Sequence, residues 1–196
     1  MKEVEVTLKV NDSLEECKIK LEKSGFSIIR RSRVEDIYMT QKLNILDEKD
    51  INNILKKCVL IRYLNANGEE YKKITYKDKI YDDFGNIVSE KKINVDCTDL
   101  QKAVELFKAL NFSEVIKVKY KVTVFSDGLR EFAFQEVEDL GLLLEYESYK
   151  NMDSVNNIEI LKEKESMVDE IINTGISVDK EMNIKKAYEL IRKKYL

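Results

Sequence analysis

The sequence predicts an α+β fold in which eight antiparallel strands form a closed β-barrel from two strand-helix-strand halves, with helices packed outside and a helical C-terminal tail. Residues 3–10 alternate strictly between apolar and polar side chains, which is the pattern of a strand with one buried face. A strand followed by a helix recurs at matching spacing in the second half. After Tyr149 the apolar residues change to helical spacing. We expect a single domain over 1–196, with 150–196 as the packed tail.

The first predicted strand leads directly into a helix. Ser13 is a favourable N-terminal cap, and Cys17 and Leu21 follow it at helical spacing. Gly25 can take the left-handed conformation that often ends a helix. These features predict a helix over Ser13–Ser24.

The middle of the chain predicts a hairpin. Two alternating stretches flank a turn that contains Asn67 and Gly68, a pair that is typical of tight hairpin turns. The elements expected in this stretch are a short helix at Asp47–Lys57, strands at Val59–Leu64, Tyr71–Lys79 and Ile87–Val95, and turns at 65–68 and 82–86.

The second half is expected to start with a helix that is capped by Thr98 and carries an apolar stripe from Leu100 to Leu110. Three more strands and two helices are expected after it, because the alternating stretches give way to helical spacing. These elements are strands at Val115–Phe125, Arg130–Glu138 and Leu142–Tyr149, and helices at Val155–Ile172 and Lys180–Tyr195.

An internal repeat supports the division into two halves. Residues 14–26 and 100–112 have the same spacing of apolar residues, and each stretch follows an alternating strand. Basic residues follow both helices at an offset of 86 residues, namely Arg31 and Arg33 in the first half and Lys117 and Lys119 in the second. Two such halves would close one barrel about a pseudo-twofold axis.

Composition excludes several classes of function. The 34 basic and 37 acidic residues give a net charge of −3, so we expect neither nucleic acid nor a membrane as a partner. The absence of histidine excludes Ser-His and Cys-His nucleophile pairs. The glycines form neither of the common phosphate-binding loop motifs. Any anion site must therefore come from a local arrangement of charged side chains.

The sequence also bears on cellular location. The N-terminus has no apolar segment of signal-peptide length, and no apolar run approaches membrane-spanning length, so we expect a cytoplasmic protein. Cys17, Cys58 and Cys97 are widely spaced and odd in number, which argues against a disulfide framework and a thiolate zinc site. We expect them to be small buried residues in a reducing compartment.

Like charges repeat at a spacing of two on several predicted strands. The carboxylate pairs are Glu3 with Glu5 and Glu145 with Glu147, and the basic runs are Lys117-x-Lys119-x-Lys121 and Lys73-x-Thr75-x-Lys77-x-Lys79. For a single strand, a solvated outer face is the simpler interpretation. Several such strands together favour charged faces that line the barrel interior, because like charges at this spacing repel and need compensation.

A charged interior of this kind would suit an anion that is bridged by metal ions. Carboxylate oxygens favour Mg²⁺, Mn²⁺ or Ca²⁺, since these hard cations prefer oxygen ligands. Lysine and arginine would hold the remaining charge of the phosphate groups.

Short motifs then occur in a fixed order along nearly the whole chain. They are Glu3-x-Glu5, Asp36-Ile37-Tyr38, Leu60-Ile61-Arg62, Thr75-Tyr76-Lys77, Lys119-Tyr120-Lys121 and Glu145-Tyr146-Glu147. In this order they resemble E-x-E-x-K, D-x-Y, L-R-x-R, T-x-K, K-x-R and the closing motif of the CYTH, or triphosphate-tunnel, superfamily, which is named for class IV adenylyl cyclases and thiamine triphosphatases. The tail, with Gly175-Ile176 and Lys186-Ala187-Tyr188, is similar to the class IV cyclase branch.

The resemblance implies a set of ligand contacts. It implies that the metal ligands are Glu3, Glu5, Glu145 and Glu147, and that the phosphate ligands are Arg62, Lys77, Lys119 and Lys121, to which the repeat adds Arg31 and Arg33. The implied cofactor is Mg²⁺ or Mn²⁺. The implied partner is a small-molecule triphosphate, namely ATP, thiamine triphosphate or tripolyphosphate.

The chain departs from the family pattern at several positions. Thr7 stands in place of the signature lysine, Leu60 in place of the first arginine of L-R-x-R, and Gln135 in place of an aspartate of the closing motif. The strand where relatives read R-x-E-x-E carries Glu90, Lys92 and Asn94. These changes remove phosphate and metal contacts that the family pattern would supply.

Three functions stay open at this point. The first is a metal-dependent enzyme, either an adenylyl cyclase that forms cyclic AMP and pyrophosphate or a triphosphatase. The second is a degenerate protein that binds a nucleotide or polyphosphate without turnover. The third is an interaction module whose charged strands are only solvated. The sequence also leaves open whether the chain forms a homodimer.

Overall fold

The computed structural model describes residues 4–81, 87–150, 156–179, 181 and 183–196. In this part the fold is α+β, with one eight-stranded antiparallel sheet and five helices, as predicted. The strands are β1 (Glu5–Lys9), β2 (Ser27–Thr40), β3 (Lys57–Ala66), β4 (Glu69–Tyr81), β5 (Ile87–Asp96), β6 (Ser113–Ser126), β7 (Glu131–Val137) and β8 (Gly141–Glu147). The helices are α1 (Leu14–Lys23), α2 (Glu48–Lys56), α3 (Leu100–Ala109), α4 (Asn157–Asn173) and α5 (Lys186–Tyr195).

The order of the strands in the sheet is β1-β8-β7-β6-β2-β3-β4-β5. Strands β1 and β5 stand at the two ends of this order, so hydrogen bonds do not close the sheet within the described part of the chain. The closed barrel therefore stays a prediction. Glu3 and the turn expected at 82–86 lie outside the described residues.

The chain divides into two compact units. Unit 1 contains the described residues up to Ser32 and those from Tyr120 to Lys185, and unit 2 contains Arg33–Lys119 and Lys186–Leu196. Strands β2 and β6 contribute residues to both units. Whether residues 1–196 act as one domain stays a prediction.

The core of unit 1 lies between one face of β1, β7 and β8 and the helices α1 and α4. Phe132 and Tyr146 are at most 1% exposed and contact each other edge to face, and Met167 and Ile171 of α4 lie in the same core. Each fully buried aliphatic or aromatic side chain of this kind stabilises the fold by about 1.5–3 kcal/mol. Packing thus uses one face of these strands and leaves the other face for polar residues.

Helix α1 begins close to the predicted residue. The Ser13 side chain accepts a hydrogen bond from the Glu16 amide, and the Glu16 carboxylate accepts one from the Ser13 amide. This capping box satisfies two backbone donors that a helix start leaves without partners. In α3 the cap is Asp99, whose carboxylate accepts from the Lys102 amide, so the prediction of Thr98 is wrong by one residue.

The free edge of β1 in unit 1 bonds to the backbone of Ser177, Asp179 and Ile184. The Asn11 amide donates to Ser177 O at 2.9 Å, the Asp179 amide to Lys9 O at 2.9 Å, and the Ile184 amide to Thr7 O at 3.1 Å. The last helix consequently begins at Lys186 and not at Lys180 as predicted, because the described backbone groups before it bond to β1.

The core of unit 2 lies between helix α3 and one face of β2, β3 and β4. Met39, Val59 and Ile61 are at most 3% exposed and pack with Ala103 and Phe107 of α3. The β3-β4 hairpin turns at Asn67 and Gly68, whose φ angles of 54° and 89° match the left-handed pair that the turn requires. None of the described helices is long and apolar enough to span a membrane.

Candidate functional site: a cationic cavity and an acidic face

A cavity of about 620 Å³ lies on the face of β3, β4 and β5 that faces away from α3. The strand register explains its lining, because directly paired residues point to the same side of a sheet. Arg62 pairs with Lys73, which in turn pairs with Asp96, and Lys77 pairs with Lys92. The described lining residues are Leu60, Arg62, Leu64, Glu70, Tyr71, Lys72, Lys73, Thr75, Lys77, Lys92, Asn94, Asp96 and Cys97.

The lining of this cavity is predominantly cationic. By the register, the side chains on this face include four lysine or arginine residues and one carboxylate, that of Asp96. Two cationic pairs, Arg62 with Lys73 and Lys77 with Lys92, are separated by four residues of β4, which correspond to about 14 Å. Such an arrangement favours an extended anion with several charged groups.

Arg62 is held in place by a buried carboxylate. Its Nε and Nη2 atoms donate to the two oxygens of Asp36, both at 2.7 Å. The Asp36 side chain is 3% exposed, whereas that of Arg62 is 39% exposed at the cavity. This bidentate pair orients the guanidinium, and it explains why the Asp36-x-Tyr38 and Leu60-x-Arg62 motifs occur together.

The floor between the two cationic pairs is nearly neutral. Leu60 is 2% exposed, and the Thr75 hydroxyl donates to Asn94 Oδ1 at 2.9 Å. Leu60 stands where the family resemblance calls for an arginine. A cationic pair therefore lies on each side of this floor, and the floor itself has no cation among the described lining residues.

Unit 1 carries an acidic face on the side of β1 and β8 that faces away from its core. Glu5 pairs with Glu147, and Thr7 pairs with Glu145, so these four residues share one side of the ladder. Gln135 of β7 is 4% exposed and donates from Nε2 to Glu145 Oε2 at 2.9 Å. An amide thus stands beside Glu145 where the family pattern has a carboxylate.

Lys164 of α4 interacts electrostatically with Glu5, one of the carboxylates of the acidic face of unit 1. Burial lowers the pKa of Lys164 on α4, and the Glu5 carboxylate opposes that effect by attracting the ammonium group. The Lys164 ammonium donates to Asn183 Oδ1 at 2.7 Å. The attraction between Glu5 and Lys164 therefore opposes part of the effect of burying this ammonium group.

The chemistry of the acidic face fits a hard cation, but its geometry is incomplete. Carboxylate oxygens are the ligands that Mg²⁺ and Mn²⁺ prefer. Among the described residues, however, no three acidic or thiol side chains converge closely enough to hold a metal ion. Mg²⁺ usually binds through one or two carboxylates and takes its other ligands from water or phosphate. Glu5, Glu145 and Glu147 would suit that kind of binding.

The register separates Lys121 from the acidic face. Lys121 pairs with Glu136, in the same ladder in which Phe125 pairs with Phe132 of the core. It therefore lies on the helix-packed side of the sheet, whereas Gln135 and Glu145 lie on the other side. Its proposed contact with phosphate stays a prediction that the register does not favour.

The remaining predicted phosphate ligands do not join the cavity. Arg33 is exposed on β2 and Lys119 is half-buried on β6, and neither is among the described residues that line it. Lys117, two residues before Lys119, forms an ion pair with Glu35 at 3.3 Å. Arg31 is exposed in the part of β2 that belongs to unit 1.

Sequence reasoning missed part of the cavity. Lys73 and Lys92 face it together with Arg62 and Lys77 but were not among the predicted ligands. Lys73 and Lys77 lie on one face of β4, so the spacing of the lysines on this strand could have identified Lys73. Lys92 could be placed at the cavity only from the β4-β5 register, which the sequence does not specify.

Comparison with known proteins agrees with this fold. The chain is 29% identical over 196 residues to a protein of Methanocaldococcus jannaschii named "Putative adenylate cyclase MJ0240", with 100% of this chain and 97% of that protein covered. The solved structure of the PH1819 protein from Pyrococcus horikoshii OT3 has 25% identity and a TM-score of 0.67, over 97% of this chain and 99% of that one. No family model matches the chain.

A further solved structure has the same fold at low identity. It is a "putative adenylate cyclase" from Vibrio parahaemolyticus, with a TM-score of 0.63 and 12% identity over 97% of each chain. This likeness concerns the fold alone. Together, the full-length similarity of sequence and the shared fold support the CYTH-like resemblance that the motifs indicate.

Proposed function

We propose that this chain binds a triphosphate in the cationic cavity of unit 2 and converts it in a class IV adenylyl cyclase type of reaction, from ATP to cyclic AMP and pyrophosphate, or by hydrolysis. The observation that carries the proposal is the convergence of Arg62, Lys73, Lys77 and Lys92 on one side of β3, β4 and β5. Fixed cations of this kind can bind the phosphate groups and stabilise the charge that develops on them.

The choice of reaction draws on the relatives. Two similar proteins carry the name "putative adenylate cyclase", and one of them is similar in sequence over the whole of this chain. In a cyclase the ribose 3′-hydroxyl attacks the α-phosphorus and pyrophosphate leaves. In a triphosphatase water attacks the terminal phosphorus. Neither reaction needs a covalent nucleophile on the protein, which is consistent with a chain that has no histidine.

The metal ion belongs to the proposal. Glu5, Glu145 and Glu147 would hold Mg²⁺ or Mn²⁺ through their carboxylates. When bound, such an ion polarises phosphate oxygens as a Lewis acid. The protein itself fixes Glu145 through the Gln135 amide and orients the Arg62 guanidinium through Asp36.

A second candidate is a protein that binds the triphosphate without converting it. Two observations favour it. The Gln135 amide replaces a carboxylate beside Glu145, and the buried Leu60 replaces a cation in the floor of the cavity. Both changes leave the two cationic pairs of the cavity intact while they remove groups that a reaction would use.

The test is an assay of phosphate, pyrophosphate and cyclic AMP release from ATP, thiamine triphosphate and tripolyphosphate with Mg²⁺ or Mn²⁺. Wild type is compared with Lys77→Ala, Glu145→Gln and Glu136→Gln. Glu136 is the matched control because it lies on the opposite side of β7 from Gln135 and is exposed. We expect turnover to be lost in the first two variants and retained in the third.

The assay separates the two candidates. Absent turnover, combined with triphosphate binding that Lys77→Ala weakens, would leave the binding protein as the function. Equal turnover in wild type and Lys77→Ala, or neither turnover nor binding in wild type, would contradict the proposal.

A further inference from the structure

The outer edge of β5 offers backbone groups for pairing. Strand β5 is the last in the order of the sheet, and its neighbour in the described part of the chain is β4. The Cys97 amide donates to Lys72 O at 2.9 Å, so the odd-numbered residues of this stretch direct their backbone groups toward β4. Because an antiparallel ladder alternates, the amides and carbonyls of Lys92, Asn94 and Asp96 point away from β4. Such an edge is a template for another strand.

The same strand exposes apolar side chains. Ile93 and Val95 pair with residues of β4 that belong to the core between α3 and the sheet. Ile93 is nevertheless 47% exposed and Val95 is 55% exposed, and neither is among the described members of that core. Helix α3 thus leaves this end of the sheet uncovered, and neighbouring apolar side chains at an exposed strand edge are typical of an interaction surface.

The charges of β5 suit pairing with a second copy of the same strand that runs antiparallel about Asn94. In this register Lys92 lies opposite Asp96 of the second copy. Ile93 lies opposite Val95 of the second copy, on the other side of the sheet. Lysine on an edge strand opposes pairing unless an opposite charge meets it. An axis at Lys92 or at Asp96 would place that charge opposite itself, so the sequence of β5 favours the register about Asn94.

We infer that the edge of β5 is the interface of a homodimer, in which two copies of this strand pair antiparallel about a twofold axis at Asn94. The outward backbone groups of residues 92, 94 and 96 form about six hydrogen bonds across this axis. The pattern identifies a second copy as the occupant, because a twofold contact presents the same residues from both sides and these residues complement themselves. The inference does not rest on the proposed function.

The interface adjoins the cavity of unit 2. Lys92, Asn94 and Asp96 belong to both, since they line the cavity and stand on the edge strand. Within one copy Lys92 pairs with Lys77, and like charges in directly opposite positions repel. Asp96 of the second copy lies on the other side of Lys92 and offsets that repulsion. Dimerisation therefore brings a carboxylate of one copy to the edge of the cationic cavity of the other.

The test is the oligomeric state, measured by sedimentation equilibrium over roughly 1–300 μM protein, a range in which a small interface dissociates. Wild type is compared with Lys92→Asp and Asp96→Lys. Each variant alone places like charges opposite each other twice, so its dissociation constant should rise at least about 10-fold. A mixture of the two variants restores both opposite-charge pairs and should form a heterodimer at a concentration where neither variant dimerises alone.

The matched control is Lys91→Asp, which makes the same change of charge one residue away, on the other side of the strand. Its dissociation constant should stay within about twofold of wild type. Thermal unfolding of each variant checks that the fold is retained. A wild type that is monomeric at every concentration, a dimer that Asp96→Lys does not weaken, or a mixture that stays monomeric would each overturn the inference and leave the proposed function untouched.

Discussion

The cationic cavity of unit 2 and the acidic face of unit 1 both come from strands with alternating charge, yet their charges are compensated differently. In unit 1, Glu145 accepts a hydrogen bond from Gln135, and Glu5 attracts the ammonium of Lys164. In unit 2 the cavity retains more cations than carboxylates, although Asp36 binds Arg62. Binding of an anion is therefore better supported by the described residues than binding of a metal ion.

The largest expected effect concerns the Arg62 and Asp36 pair. Arg62→Met should lower the free energy of unfolding by about 2–4 kcal/mol, because it leaves the carboxylate of Asp36 buried without its bidentate partner. Urea unfolding at neutral pH measures the change. The result would show that the cavity of unit 2 depends on an internal ion pair as well as on ligand-facing cations.

A double-mutant cycle provides the control for this prediction. Asp36→Asn in the Arg62→Met background removes the uncompensated charge and should restore part of the lost stability. An Arg62→Met protein as stable as wild type would show that the pair contributes little to the fold.

The second prediction concerns the stability of unit 1 when a charge is added to its acidic face. Gln135→Glu would place a second carboxylate beside Glu145, in a position that is 4% exposed. We expect the free energy of unfolding to fall by about 1–3 kcal/mol without metal, because like charges are then buried together. Added Mn²⁺ should restore the loss, which thermal unfolding with and without the ion would detect.

Gln135→Leu is the matched control for the metal effect. It removes the hydrogen bond to Glu145 without adding charge, so Mn²⁺ should not restore its stability. If both variants respond equally to Mn²⁺, the acidic face is not where the ion acts.

The smallest effect is a pH dependence in unit 1. Hydrogen bonds from the Lys20 ammonium and the Ser177 amide lower the pKa of Asp12 in the folded protein. A lowered carboxyl pKa stabilises the fold above the unfolded value of about 3.9, and this stabilisation is lost as the pH falls through the folded pKa. Asp12→Ala should therefore cost about 1–2 kcal/mol at pH 7 and progressively less toward pH 3.

Urea unfolding at the two pH values measures this difference. Glu15→Gln is the control, because Glu15 forms an exposed ion pair with Lys18 on the same helix and its replacement should cause no measurable change. An Asp12→Ala effect of equal size at both pH values would mean that the carboxylate charge is not what anchors residue 177.

The sequence predicted the helices and strands of this fold better than it predicted which segments pair and which strand faces pack against helices. Alternation identified seven of the eight strands, because side chains on a strand have a fixed period of two, but no range was predicted for β2. The start of the last helix was misplaced, since Ser177, Asp179 and Ile184 bond to the edge of β1, and pairing between distant segments leaves no local signal.

The candidate site was predictable only in part, for a related reason. Strand alternation grouped Lys119 with Lys121, but which side of a strand faces the core depends on its neighbours. Phe125 shares the side of Lys121, and its apolar ring could have indicated that this side packs against helices. The hydrogen bond between Gln135 and Glu145 depends on the β7-β8 register, which one sequence does not specify.

The most direct test of the central claim is the affinity for tripolyphosphate, measured by isothermal titration, in wild type, Lys77→Ala and Lys121→Ala. Both variants remove one strand lysine, but only Lys77 lines the cavity of unit 2. Loss of a charged contact predicts that Lys77→Ala weakens binding by roughly 10-fold or more, while Lys121→Ala stays within about twofold of wild type. Unchanged binding in Lys77→Ala, or an equal loss in Lys121→Ala, would contradict the assignment of the triphosphate site to this cavity.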